Sequence, residues 1–290
     1  MSVIPDSISD YLKNELNINQ IQARHVSGGS INRAAKLDTK NGTYFLKWNS
    51  EAPEDFFEKE SEGLKLLRNA DSDIVVPKVI SYSGHFGDRP GFLLMEFVEE
   101  GSGSGENSFN FGQELARLHI NISDQFGLAG DNYIGSLPQS NNFHQEWLSF
   151  FIKERINPQI KMALNSGKID HKTVQKWEKL SQNLDNYIPP CKPSLLHGDL
   201  WSGNYMFNKS GQAVLIDPAV YYGHPEMDLA FSKMFGGFSD RFYNGYESVN
   251  RLEPNFSERV DIYNLYPLLV HVNLFGGHYI SSLKQTLNRY

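Results

Sequence analysis

The spacing of apolar residues changes period along the chain, and each change marks an element. Across residues 23–37 two stretches of strand character flank Gly28-Gly29, the pattern of strand, glycine turn and strand. Asn41-Gly42 is a second hairpin signal, after which Thr43-Tyr44-Phe45-Leu46-Lys47-Trp48 alternates as a strand. Over residues 53–68 the period lengthens to that of a helix with proline at its start. There Phe56, Phe57, Glu60, Leu64 and Leu67 fall within about a third of a helical wheel, with Glu58 and Glu62 on the opposite side. Residues 91–98 read as another apolar strand, and a helix follows from about residue 109 to 119. Further on, Ser194-Leu195-Leu196 is a short strand. Residues 205–207 and 213–216 flank a turn at residues 208–212, which makes a hairpin.

Two features break these patterns. Glu60 lies on the apolar stripe of its helix, where an unpaired carboxylate is costly, and Lys47 on the preceding strand is the cation that answers it. The tract Gly101-Ser102-Gly103-Ser104-Gly105 separates a strand-rich part from a helix-rich part. It divides the chain into a first lobe over residues 1–97, a hinge over 98–105 and a second lobe over 106–290. Strand, glycines and helix also imitate a dinucleotide-binding fingerprint. The spacing here is G-x-G-x-G, however, and Glu99-Glu100 precede it where a pyrophosphate would lie.

Composition narrows the function. A formal charge of −7 argues against a nucleic-acid or anionic-membrane surface. No apolar run reaches the length of a spanning helix, and no basic residue precedes Lys13 as a secretory signal would require. The single cysteine, Cys191, excludes an internal disulfide, so a cytoplasmic setting is the simplest expectation. Oligomeric state is not legible.

The chemistry concentrates in HGDLWSGN, from His197 to Asn204, and in Ile216-Asp217-Pro218 at the end of the following strand. Two carboxylates and an amide carbonyl there are hard oxygen donors of the kind Mg²⁺ accepts alongside substrate phosphates. The spacing H-x-D-x-x-x-x-N followed by a strand-end Asp is that of kinase catalytic and metal loops. A turn bonded to its own backbone is the bland alternative. A metallohydrolase is the other, but the nine histidines form no HxxxH or HExxH pattern. A kinase also needs backbone amides around the phosphates and a strand lysine at their α/β end. Gly28, Gly29 and Ser30 offer the first, Lys47 paired with Glu60 the second, and the backbone of Glu96, Phe97 and Val98 would face adenine.

These residues carry a resemblance to the fructosamine kinase (ketosamine-3-kinase) family, a branch of the protein-kinase-like fold near the aminoglycoside phosphotransferases. It runs through Ser27-Gly28-Gly29, Phe45-Leu46-Lys47, Leu94-Met95-Glu96, Asn132-Tyr133-Ile134-Gly135-Ser136, HGDLWSGN with Trp201, residues 216–223, Glu226-Met227-Asp228-Leu229-Ala230 and Phe275-Gly276-Gly277. The resemblance implies an α+β bilobal fold, with a small β-sheet N-lobe and a mostly helical C-lobe. It implies Mg·ATP-dependent phosphorylation of the 3-hydroxyl of a ketosamine, either a small molecule or a glycated protein lysine, and hence deglycation. In that scheme Asp199 is the catalytic base, Asn204 and Asp217 hold Mg²⁺, and Trp201 offers a face to the sugar. His197 braces the loop. Alternatives are a kinase of another small alcohol, such as an aminoglycoside or choline, and a nucleotide-binding pseudokinase scaffold. Many relatives carry cysteine where this chain has Ser30, so redox control through that position is not expected.

Overall fold

A computed structural model describes residues 3–26 and 31–290. Strands β1 (Gln22–His25), β2 (Arg33–Thr39), β3 (Gly42–Asn49), β4 (Val79–Ser83) and β5 (Gly91–Glu96) form one antiparallel sheet in the order β1-β2-β3-β5-β4. Side-chain alternation along β3 decides what each face meets. Leu46 and Trp48 enter an apolar cluster with Ile8 and Leu12 of α1 (Asp6–Asn14). Phe45 and Lys47 point the other way. There α2 (Phe56–Arg68) lays Phe56, Phe57, Leu64 and Leu67 against Leu93 and Met95.

Three boundaries differ from the sequence pattern. Helix α2 begins at Phe56 rather than at residue 53: Pro53 sits in a turn whose carbonyl accepts from the Phe56 amide at 3.1 Å. Asp55 stands at the N-cap but does not cap, because its carboxylate accepts the Tyr133 hydroxyl at 2.6 Å. Helix α3 (Gly105–Ile120) starts four residues before the apolar period does. Ser104 and Asn107 form a reciprocal capping box, with asparagine in the place usually read as Glu or Gln. Strand β5 stops at Glu96, although the Phe97 amide still reaches the Thr43 carbonyl at 3.2 Å.

From α3 onward the chain is mostly helical, interrupted by three two-stranded ladders. These pair β6 (Asn132–Ile134) with β7 (Leu137–Gln139), β8 (Ser194–Leu196) with β11 (Tyr221–Gly223), and β9 (Tyr205–Phe207) with β10 (Ala213–Leu215). The cluster that holds Phe57 and Leu64 runs on to Leu115, Leu195, Leu200, Leu215 and Tyr221. Sheet and helices therefore share one core. The Gly/Ser tract is docked against the β9–β10 hairpin. The Gly101 amide donates to the Phe207 carbonyl at 2.8 Å, and a Cβ on Gly103 would lie 2.1 Å from the Phe207 ring. Close approach explains those glycines. Among the described residues no helix is long and apolar enough to cross a membrane.

Candidate active site

Strand β8 delivers His197 to a tight loop that is held from behind. The His197 and Gly198 amides donate to the two carboxylate oxygens of Asp228 at 2.8 and 2.9 Å, and the His197 carbonyl accepts from the Ala219 amide at 2.9 Å. Gly198 has φ +81°, and a Cβ there would lie 2.0 Å from the Ala219 carbonyl oxygen, so no other residue fits. His197 is fully buried; its Nε2 donates to the Ile216 carbonyl at 2.9 Å and its Nδ1 accepts from the Asp199 amide at 3.2 Å. Burial lowers its pKa, which leaves a neutral brace between two loops.

Asp199 emerges at the mouth of this loop. Asn204 Nδ2 donates to its Oδ2 at 2.8 Å and to its main-chain oxygen at 2.9 Å, which fixes the carboxylate and leaves Oδ1 unengaged by described residues. Burial pushes the carboxyl up to about 8, with Asp217 and Asp228 adding to the rise against the Asn204 hydrogen bond. The Ile216 amide donates to the Asn204 carbonyl at 3.1 Å, which brings Asn204 and Asp217 together.

Lys47 joins the two lobes. Its ammonium donates to Glu60 Oε1 at 2.7 Å and also to Asp217 Oδ1. Burial alone would lower the pKa of this lysine, but the two carboxylates outweigh it and hold the ammonium above its ordinary range. Asp217 has φ +55°, a left-handed conformation that aspartate tolerates better than most residues. Lys47 and Glu60 are nearly buried, at 6% and 10% side-chain exposure, whereas Asp217 is 39% exposed. The open side of the cluster therefore lies at Asp217.

Gly28, Gly29 and Ser30 lie outside the described residues. Before them in the chain, the Val26 amide donates to the Ala34 carbonyl at 3.1 Å, which extends the pairing of β1 with β2. Glu96, Phe97 and Val98 are half-buried at the junction between sheet and helices. The amides of Glu96 and Phe97 are committed to Lys78 and Thr43, and that of Val98 has no backbone partner among the described residues. Trp201 is half-buried. Its indole folds over Gly203, where a Cβ would lie 2.3 Å from the ring, and stands edge-on to Phe235 with centroids 5.8 Å apart.

Asp228 is the residue behind this loop that the pattern did not single out for a role. It is buried and holds the His197 and Gly198 amides, with His119 Nε2 at 3.3 Å as its third neighbour. Glu226, two residues earlier, is paired bidentately with Arg259 at 2.5 and 2.7 Å. Two acids inside the apolar run Met227-Leu229-Ala230 are the available signal, because each needs a buried partner.

The donor set suits Mg²⁺. Asp217 and Asn204 supply one carboxylate and one amide oxygen, few enough that the ion would keep waters and take substrate phosphates. Among the described residues no group of three or more His, Cys, Asp or Glu could form a closed metal cage.

Comparison with known proteins gives a consistent result. The family model described as fructosamine kinase matches residues 1–290. A protein named probable ketoamine kinase from Vibrio parahaemolyticus is 39% identical over 287 residues, which cover 99% of this chain and 97% of that protein. A crystal structure assigned as a fructosamine-3-kinase from Thermobifida fusca superposes with a TM-score of 0.82 at 32% identity, covering 93% of each chain. The fold alone is shared with the aminoglycoside phosphotransferase APH(4)-Ia, solved with ADP and hygromycin B, at TM-score 0.64, 15% identity and 98% coverage of each chain.

Proposed function

Since this chain belongs to the fructosamine kinase family, we propose that it transfers the γ-phosphoryl group of ATP to the 3-hydroxyl of a ketosamine. The observation that carries the reading is Lys47, held between Glu60 and Asp217, with Asp217 following the Ile216 amide that bonds Asn204 of the Asp199–Asn204 pair. Phosphoryl transfer asks a protein mainly for positioning and charge neutralisation, and each part has a residue here. Lys47, kept charged by two carboxylates, grips the α/β end of the nucleotide. The amide of Val98 and the carbonyl of Glu96 face the adenine edge, with Phe97 between them. Gly28, Gly29 and Ser30, outside the described residues, are the sequence's candidates for backbone amides that would meet the phosphates. Asn204 and Asp217 would hold Mg²⁺, which would supply positive charge to offset the charge that develops on the phosphates.

Asp199 Oδ1 accepts the substrate hydroxyl proton, while Asn204 keeps Oδ2 in place. The raised pKa of the bare site means that added cationic charge at the metal position would be needed to keep Asp199 ionised at neutral pH. Trp201 presents a flat face beside Asp199 for the sugar. The acceptor is a ketosamine, free or on a protein lysine, and the reaction serves deglycation in the cytoplasm. Turnover of Mg·ATP with fructosamine, ribulosamine and erythrulosamine, set against an aminoglycoside and choline, tests this. The reading predicts ketosamine-dependent ADP release; activity confined to the other alcohols contradicts it.

A further inference from the structure

Strand β6 carries two neighbouring side chains that point in opposite directions, as adjacent strand residues must. Asn132, buried, donates from Nδ2 to the Val220 carbonyl at 2.9 Å. Gln139, opposite it on β7, donates from Nε2 to the Ala219 carbonyl at 3.1 Å and to Asn132 Oδ1 at 2.8 Å. These carbonyls belong to the second and third residues after Asp217, whose left-handed backbone needs its surroundings to fix it. With the Ala219 amide bound to His197, the segment after Asp217 is clamped at three points.

The clamp is itself fully tied down. Asn132 Oδ1 also accepts from Asn141 at 2.8 Å, and Gln139 Oε1 accepts from the Tyr266 hydroxyl at 2.6 Å. Asn141 Oδ1 accepts from Arg155 at 2.7 Å. Arg155 is entirely buried with no carboxylate partner among the described residues; its guanidinium lies 3.8 Å from the centre of the Tyr221 ring. Arg155 Nε and the Tyr221 hydroxyl have no hydrogen-bond partner among the described residues, but the amide groups that hold the segment after Asp217 are bonded on both sides, and a buried network of this kind favours one geometry.

Tyr133, on the other face of β6, reaches the sheet lobe. Its hydroxyl donates to Asp55 at 2.6 Å, directly before α2, and its ring lies 5.1 Å from that of Phe56. Burial and Asp55 push the hydroxyl up to about 12, so it remains a donor throughout the neutral range. At the hairpin tip, a Cβ on Gly135 would lie 3.2 Å from Ile31 and 3.1 Å from Leu274.

We propose that the β6–β7 hairpin is a positioning element that sets the two carboxylate partners of Lys47: Asp217 through Asn132 and Gln139, Glu60 through the Tyr133–Asp55 bond to its helix. This rests on the reading of Lys47 and Asp217 as the nucleotide end of the site. The hairpin touches both lobes, so it fixes the distance between a carboxylate on α2 and one on the loop after β10. Nucleotide affinity then depends on residues that touch no nucleotide.

The test is calorimetry of Mg·ADP on the intact protein, with thermal melts and ketosamine KM measured in parallel. Tyr133→Phe removes one hydroxyl and should weaken Mg·ADP about 5–10-fold, with ketosamine KM changed less than about twofold. Asp55→Ala should give a similar loss, and the double variant no more than either single one. Gln139→Glu, which keeps the shape but loses the donor, should weaken Mg·ADP at least as much. Unchanged Mg·ADP affinity in Tyr133→Phe and Gln139→Glu, or losses that simply add in the double variant, overturns the inference while leaving the functional reading intact. If the wild-type protein binds no Mg·ADP, the functional reading falls and this inference falls with it.

Discussion

The Lys47 ammonium donates to Glu60 Oε1 at 2.7 Å, and the same ammonium reaches Asp217, 170 residues further along the chain. One cation thus ties the sheet, its helix and the segment after β10 together. Glu58 is exposed, and Glu62 forms a surface pair with Lys59 at 2.9 Å. Glu60→Gln should therefore raise the KM for Mg·ATP about tenfold or more, because it leaves the buried lysine underpaired. Glu58→Gln and Glu62→Gln should change it less than about twofold. Steady-state kinetics on the three variants checks this, and equal effects would contradict it.

Asp199 links activity to a stability cost. An aspartate in the unfolded chain titrates near 3.9, whereas burial pushes Asp199 up to about 8 in the folded protein. Between those values the folded chain holds a proton that the unfolded chain has released, so this group's contribution falls as pH rises from about 4 to about 8. Asp199→Asn should lower kcat about 10²–10⁴-fold. Without Mg²⁺ or nucleotide it should also be more stable than wild type, by about 1–3 kcal/mol near pH 8 and much less near pH 5. Urea melts at the two pH values read this directly. A difference independent of pH would contradict it.

Asp228→Asn keeps the size of the side chain but leaves one oxygen to serve two amides, those of His197 and Gly198. An amide left facing an NH₂ group costs about 1–3 kcal/mol. We expect a matching loss in thermal stability, and a fall in kcat of about 10–100-fold with both KM values within about twofold. Kinetics and melts together decide it; unchanged kcat would mean that the loop holds its shape without the clamp.

Burial pushes the Cys191 thiol well above its ordinary range, with Glu226 adding to the rise. Thiolate reactivity at neutral pH should accordingly be low. Mild peroxide or diamide should leave turnover and gel mobility unchanged under non-reducing conditions. Reversible inactivation with a covalent dimer would contradict this.

The parts of the site legible in the sequence are those set by short-range pattern. The stripe that turned Glu60 inward, the alternation that put Lys47 on the α2 side of β3, and the Asp199–Asn204 spacing all lie within a few residues of what fixes them. The Asp228 clamp spans 30 residues or more, and the Tyr133–Asp55 bond spans 78, so no local period announces either. The Gly/Ser tract read as a hinge by composition. Its docking against Phe207 and Asn208 depends on a hairpin a hundred residues away. Pro53 read as a helix start, but it stands in the turn before the helix, its carbonyl accepting from the Phe56 amide.

The most direct measurement is the product itself. Wild-type protein incubated with Mg·ATP and a fructosamine should yield ADP and a phosphorylated ketosamine in equal amounts. Phosphorus and carbon NMR should place the ester on the 3-hydroxyl, and Asp199→Asn should yield almost none. ADP release without a ketosamine phosphate, or phosphoryl transfer to an aminoglycoside or choline but not to the ketosamine, would contradict the account.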